Sequence, residues 1–430
     1  MKKGGAVRPN VEFGFCHMKV WLVRDLEPTP LDEGKPRLLR AGMLSAALAG
    51  RGHDTTWFTS SFNHYSRRQR QSGCFSLQPN LTLRVLPGLG YEKNVGLGRV
   101  FHNYRFGRCF LKTARETSLR PDVIIADLPT TEAAAAAVSF GQMEDIPTVV
   151  TIRDLWPDFF SDFAPPLLKP FVRVGLRPLD WQAQFACKHA TSLIGISEGY
   201  LRWGQAKGGR RVGPDRVFYL GYPRPRFQER AEREHVLADM GIPASSDVAS
   251  FVGSWGNTYD LPLVLETARR LCHRENLIVA VAGDWSVRPD LELAFRSLPN
   301  VRLLGWINKD QVSALLAHST VGLLPYVKNA PQGLPNKIFE YMAYGVFQVA
   351  TLGGEAKTLL EATGTGVSIP SATAADISDA IKRALEQESD HNQRLRRQAV
   401  FEERFEAGKI YSNLIDHVEQ VVKGHFSDSN

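Results

Sequence analysis

Short runs of β-branched, leucine and aromatic residues alternate with longer stretches of helical apolar period along most of the chain. Each short run, bounded by Gly, Pro, Asn or Asp, reads as a strand. The first series is Lys19–Val23, Thr55–Thr59, Leu81–Leu86, Asp122–Ala126, Thr148–Ile152, Ser192–Ile196 and Arg216–Leu220. The second is Val248–Val252, Leu277–Ala282, Val301–Leu304, Val321–Leu324 and Phe347–Ala350. Several are apolar at consecutive positions, as strands covered on both faces must be. Strand–helix alternation builds parallel sheets through right-handed crossovers. The pattern therefore predicts an α/β protein of two Rossmann-like domains, 18–220 and 221–400. A flexible segment, 1–17, precedes them, and a helix at 401–430 follows, able to pack back on the first domain. The boundary is placed at Gly221-Tyr222-Pro223-Arg224-Pro225-Arg226, which continues neither strand nor helix.

A length of 430 residues agrees with two domains. No apolar run approaches the roughly 20 residues of a membrane-spanning helix. The start, Met1 to Asn10, is charged and broken by Gly and Pro, unlike a secretory signal, so a cytoplasmic protein is expected. Five scattered cysteines without a C-x-x-C pair argue against a disulfide framework and a zinc site.

The net charge of +7 is unevenly placed. Residues 1–180 hold 24 basic and 17 acidic side chains, whereas 181–430 are balanced at 28 each. Within 61–120 there are 11 basic residues and two acids. Wound as a helix, 105–115 aligns Arg105, Arg108, Lys112 and Arg115 on one face, with Phe106 and Phe110 opposite. With Arg67, Arg68 and Arg70 this stripe suits an anionic membrane surface, each cation contributing about 1 kcal/mol. The plainer alternative is the solvated face of an amphipathic helix. Nucleic acid is not expected, since no helix-turn-helix, zinc finger or aromatic RNA-binding strand is present.

The densest chemistry lies in Ala330-Pro331-Gln332-Gly333-Leu334-Pro335-Asn336-Lys337-Ile338-Phe339-Glu340-Tyr341-Met342-Ala343-Tyr344-Gly345. Pro335 suits a first helical turn and Gly345 a C-cap, predicting a helix from about Pro335 to Tyr344. Gly333 and Leu334 lead into its N-terminus, where unpaired N–H groups favour an anion. Lys337 and Glu340 share a face. The ammonium can reach phosphate and the carboxylate can accept from two ribose hydroxyls, which together describe a nucleotide-shaped site. Alternatively the two form a surface ion pair worth about 0–0.5 kcal/mol.

Pro335-Asn336-Lys337-Ile338-Phe339-Glu340-Tyr341-Met342-Ala343-Tyr344-Gly345 resembles the nucleotide-sugar signature of retaining glycosyltransferase family four, which has the GT-B fold: two Rossmann-like domains facing each other across a cleft. Phe251-Val252-Gly253-Ser254-Trp255-Gly256, Val281-Ala282-Gly283-Asp284 and Asn300-Val301-Arg302-Leu303-Leu304-Gly305-Trp306 resemble further parts of that family's donor domain. Thr151-Ile152-Arg153-Asp154-Leu155-Trp156-Pro157-Asp158 and Ile196-Ser197-Glu198-Gly199 resemble its branch that builds bacterial surface polysaccharides, exopolysaccharide or lipopolysaccharide O-antigen. The resemblance implies transfer of a hexosyl or N-acetylhexosaminyl group, with retention and without a metal, from a nucleotide-sugar, with UDP favoured. The acceptor would be a saccharide or lipid-linked saccharide at the cytoplasmic face of the membrane. Donor contacts are then expected from Gly34, Gly253, Ser254, Asn257, Trp306, Ile307, Gly333, Leu334, Lys337 and Glu340. Catalytic roles fall to Arg153, Asp154, Gln332 and Lys337.

The chain also departs from the family pattern. Gln332 stands where the family has the first glutamate of E-x7-E, and an amide supplies no negative charge to an oxocarbenium-like centre. The loop after the first donor-domain strand lacks the usual Arg and Lys, which puts weight on Lys337 and leaves Asn257 as a further phosphate partner. Arg153 replaces a histidine and suits a clamp on phosphate or carboxylate, with Asp154 able to orient it or an acceptor hydroxyl; the plainer alternative is a strand-end Arg153–Asp154 ion pair with Trp156 as packing. Two alternatives stay open, a nucleotide-sugar epimerase of the same fold and a non-catalytic nucleotide-sugar-binding protein.

Overall fold

The structure, a computed structural model, describes residues 17–34, 36–93, 96–158, 160, 167–209, 213–256, 258–286, 288–328, 330, 333–387 and 391–427. It divides into two compact units, one reaching Phe218 and resuming at Tyr411, the other spanning Tyr219–Ile410. The expected N-terminal segment lies almost wholly outside the described residues.

The first unit holds an eight-stranded sheet: β1 (Lys19–Val23), β2 (Asp54–Ser60), β3 (Gly73–Gln78), β4 (Leu81–Leu86), β5 (Val123–Leu128), β6 (Thr148–Ile152), β7 (Ser192–Gly195) and β8 (Arg216–Val217). Its order is β3-β4-β2-β1-β5-β6-β7-β8, parallel throughout except at the antiparallel β3–β4 edge. Strand order reverses beside β1, so the carboxyl ends of β1 and β5 flank the position where open α/β sheets bind ligands. Trp21 anchors the core, its ring 5.2 Å from Phe58 and 5.8 Å from Phe140. The helices Leu97–Glu116, Thr131–Glu144 and Lys169–His189 pack in succession. The first two approach closely at Gly107, where a Cβ would lie 2.9 Å from the Glu132 backbone.

The second unit holds β9 (Asp247–Val252), β10 (Leu277–Ala282), β11 (Val301–Gly305), β12 (Val321–Leu324), β13 (Phe347–Ala350) and β14 (Gly366–Ser368). They form an all-parallel sheet ordered β11-β10-β9-β12-β13-β14, with its reversal between β9 and β12. Ile338, Phe339 and Met342 of the Asn336–Ala343 helix are buried in its core with Phe401 and Phe405.

Two strands escape the sequence pattern. β3 is an edge strand whose residues are exposed or half-buried, so it shows no apolar run. β14 has only three residues. β8 is shorter than the expected Arg216–Leu220. The expected single C-terminal helix is two helices, His391–Arg404 and Ala407–Ser427. The first stays with the second unit, where Arg394 donates to the Tyr344, Leu316 and Ser319 carbonyls. From Tyr411 onward the second belongs to the first unit, where Asp416 and Glu419 pair with Arg51 and Glu419 also meets His53.

Candidate functional site

In the second unit, the side chains of interest gather at the carboxyl edge of the sheet. The helix covers Asn336–Ala343, so Pro335 is its N-cap residue, with extended backbone, and not its first helical residue. Pro335 offers no side-chain cap, which leaves the first N–H groups for another acceptor. Gly333 is exposed and Leu334 is buried just ahead of them. Lys337 Nζ donates to Glu340 Oε2 at 2.8 Å, and Tyr222 Oη donates to Glu340 Oε1 at 3.0 Å. This pair is not a solvated one, because both side chains are largely covered and a third residue from a distant segment joins them. A carboxylate has lone pairs beyond those two bonds, so Glu340 can still accept from a ligand hydroxyl.

Tyr341, one residue further, is fully buried and its hydroxyl accepts from Val252 N–H at 3.3 Å. That bond fixes the helix against the end of β9 and sets it beside the Gly253-Ser254 turn. Burial in this apolar surrounding raises the Tyr341 hydroxyl pKa well above its usual value, so it stays protonated. The Gly253 N–H goes to the Ala282 carbonyl at 3.1 Å. The Gly253 carbonyl packs on Gly283, which has φ 148°, and a Cβ there would sit 2.0 Å from that oxygen. Ser254 is exposed at the turn, leaving it as the accessible group of the two. Trp306 is 84% exposed after β11 and Ile307 is half-buried against the core. Asn257 and Gln332 lie outside the described residues.

In the first unit, Arg153 follows β6. Its Nη1 donates to Glu27 Oε1 at 2.9 Å and lies 3.9 Å from Asp127 Oδ2 at the end of β5. Arg24, at the end of β1, pairs with both Glu27 and Asp127. The other Glu27 oxygen accepts from Ala41 N–H at 2.6 Å, in the first turn of the Arg40–Gly50 helix. Glu27, and not the expected Asp154, therefore orients Arg153. Burial raises the Glu27 carboxyl pKa, opposed by Arg24. Burial also raises Asp154, which faces the charge of Arg99, itself stacked 4.2 Å over Trp156. Glu27 carried no motif signal; its place three residues after a strand-end arginine was the only hint available.

Asp25 is buried beside this cluster, accepting from Thr130 Oγ1 at 2.7 Å with His102 Nε2 at 3.3 Å. Glu132 is buried nearby, and desolvation lifts its carboxyl to about 7. Gly34, in the loop after β1, has φ 77° with open space around its Cα. A groove of about 760 Å³ runs beside that loop, lined by Leu31, Arg37, Asn63, Tyr65, Arg68 and Phe75 among others.

Among the expected surface cations, Arg105, Arg108, Lys112 and Arg115 are exposed on the Leu97–Glu116 helix. Arg67 is exposed, with its guanidinium 5.1 Å from the Tyr91 ring centre, and Arg68 is exposed near Glu33. Arg70 does not belong with them. Its side chain is 8% exposed and holds Asp32 through two bonds of 2.6 and 2.8 Å, so it ties the loop after β1 to the end of β2. Among the described residues no cluster of three or more His, Cys, Asp or Glu is placed to hold a metal ion, and no helix is long and apolar enough to cross a membrane.

Residues 39–223 match the family described as glycosyl transferase 4-like domain, and 246–387 match glycosyl transferases group 1. No curated protein matches the chain in sequence. Among solved structures, sucrose-phosphate synthase from Thermosynechococcus elongatus superimposes with a TM-score of 0.67 at 16% identity, over 95% of this chain and 100% of that one. Anabaena HepE in complex with UDP-glucose gives 0.63 at 17%, over 94% and 100%. WaaG, a glycosyltransferase involved in lipopolysaccharide biosynthesis, gives 0.56 at 15%, over 94% and 98%. The chain thus joins a glycosyl transferase 4-like domain to a glycosyl transferases group 1 domain and is a glycosyltransferase-family protein of the GT-B fold.

Proposed function

We propose that the chain is a retaining, metal-independent glycosyltransferase that moves a hexosyl or N-acetylhexosaminyl group from a UDP-sugar to a saccharide or lipid-linked saccharide in surface-polysaccharide synthesis. The observation that carries this reading is the Lys337–Glu340–Tyr222 assembly at the start of an uncapped helix. Phosphate at the helix N-terminus is stabilised by unpaired N–H groups and by Lys337, and charge developing on the leaving diphosphate meets the same groups. Glu340, held by Tyr222, accepts from the ribose. Gln332 and Asn257 remain assigned to the donor sugar and phosphate. Ser254, exposed at the turn after β9, faces the phosphate. Trp306 and Ile307 line the base. Arg153, braced by Glu27, clamps an anionic group of the acceptor, and Asp154 contacts an acceptor hydroxyl. The binding of UDP and UDP-glucose by Anabaena HepE supports a UDP-sugar donor, and the WaaG likeness supports a surface-saccharide product.

Incubation with a panel of nucleotide sugars and a membrane-lipid extract tests this reading, with mass spectrometry and NMR of the product. One UDP-sugar should yield a product whose anomeric configuration equals the donor's. An inverted product, or an epimerised donor formed without acceptor, overturns it.

A further inference from the structure

The Lys169–His189 helix carries a second kind of surface that the charge pattern does not reveal. Phe171, Val174 and Trp181 are 75, 63 and 61% exposed, and with the exposed Pro178 they follow the 3-4-3 spacing of one helix face. Leu168, just ahead of the helix, is exposed as well. Globular helices of this length bury such a stripe in a core. Here the core-facing stripe is a different one, built from Leu179, Ala183, Ala186 and Cys187. Lys169, Arg173 and Arg177 flank the exposed ridge, and the Arg177 guanidinium lies 5.9 Å from the Trp181 ring centre. The one acid of the helix, Asp180, is already paired with Lys207 at 2.6 Å. The ridge is therefore apolar at its crest and cationic along its side.

A parallel arrangement occurs on the Leu97–Glu116 helix, where Leu97, Phe101 and Tyr104 are exposed on the face that continues into Arg108, Lys112 and Arg115. Both helices pack against Thr131–Glu144, and Leu97 and Phe101 of one and Phe171 and Val174 of the other lie towards their N-terminal ends, with Trp181 just past the middle of its helix. In a parallel sheet those ends adjoin the carboxyl edge of the strands, the edge that holds Arg153. An aromatic crest with flanking Arg and Lys is the composition of helices that lie in the headgroup region of an anionic bilayer.

We infer that Phe171, Val174 and Trp181, flanked by Arg173 and Arg177, insert into an anionic lipid surface and seat the first unit on the membrane. This surface rests on the reading of a membrane-borne acceptor but uses none of its donor residues. The test is cosedimentation with vesicles of phosphatidylcholine alone or enriched in phosphatidylglycerol. Wild-type protein should bind the anionic vesicles, and the Phe171→Ser, Trp181→Ser double variant should bind at least about tenfold more weakly. Arg173→Glu, Arg177→Glu should remove the preference for anionic lipid while leaving the crest intact. Melting curves check that both variants are folded. Equal vesicle binding by the double variant overturns the inference, as does a wild type that stays in solution. Light scattering that shows the double variant breaking a dimer also overturns it, in favour of a second copy. UDP titration in parallel separates the two readings: its failure removes the donor site and leaves the vesicle result standing.

Discussion

Arg153 reaches past its neighbour in sequence to a partner 126 positions away, and that choice decides what the residue can do. Bracing by Glu27 and Asp127 fixes the guanidinium while Arg24 balances the two carboxylates. Removing one charge of such a buried set leaves the others uncompensated and costs about 3 kcal/mol. Glu27→Gln is therefore expected to lower the melting temperature and to cut kcat for transfer by tenfold or more, with UDP affinity unchanged in calorimetry. Glu132 supplies a pH signature. Its carboxyl titrates near 7 in the fold and in the ordinary carboxylate range when unfolded, so the folded state holds its proton more tightly. Stability from this source is intact below that range and declines as pH rises to about 7, by up to roughly 3 kcal/mol at 1.4 kcal/mol per tenfold change in proton affinity. Thermal melts of Glu132→Gln should accordingly gain most over wild type at pH 8 and little at pH 4.

The Asn336–Ala343 helix was legible in sequence because its signals are local: Pro335 before it, Gly345 after it and Lys337 three residues from Glu340. What was not legible comes from residues far apart. Tyr222 on Glu340 and Val252 on Tyr341 depend on how the second unit folds, and no spacing rule announces them. The parallel strands were readable through their buried apolar runs, whereas β3, exposed on the sheet edge, left no such trace. Gly283 shows how tightly the turn after β9 is built. Gly283→Ala would place a methyl 2.0 Å from the Gly253 carbonyl and force that turn to move. The expected outcome is UDP binding weakened by tenfold or more while circular dichroism stays unchanged.

At the scale of the molecule, the excess of positive charge lies in the residues that build the first unit, and the structure sorts it into two groups. Arg70, Arg24 and Arg153 are covered and paired, whereas Arg105, Arg108, Lys112 and Arg115 stay exposed. Charge counting along the sequence cannot separate them, because burial is a property of the fold. It also passes over the Phe171–Trp181 ridge, since an apolar helix stripe reads the same whether it faces a core or solvent. Reversing Arg105, Arg108 and Lys112 to Glu should weaken binding to anionic vesicles and leave UDP affinity as it was, read by sedimentation and calorimetry. In the proposed reading the second unit holds the nucleotide-sugar through Glu340 and its neighbours. Calorimetric titration of UDP into wild-type protein and Glu340→Ala tests this placement. A saturable wild-type isotherm with affinity falling at least about tenfold in the variant, 1.4 kcal/mol or more, is the predicted result; equal affinities in the two proteins would contradict it.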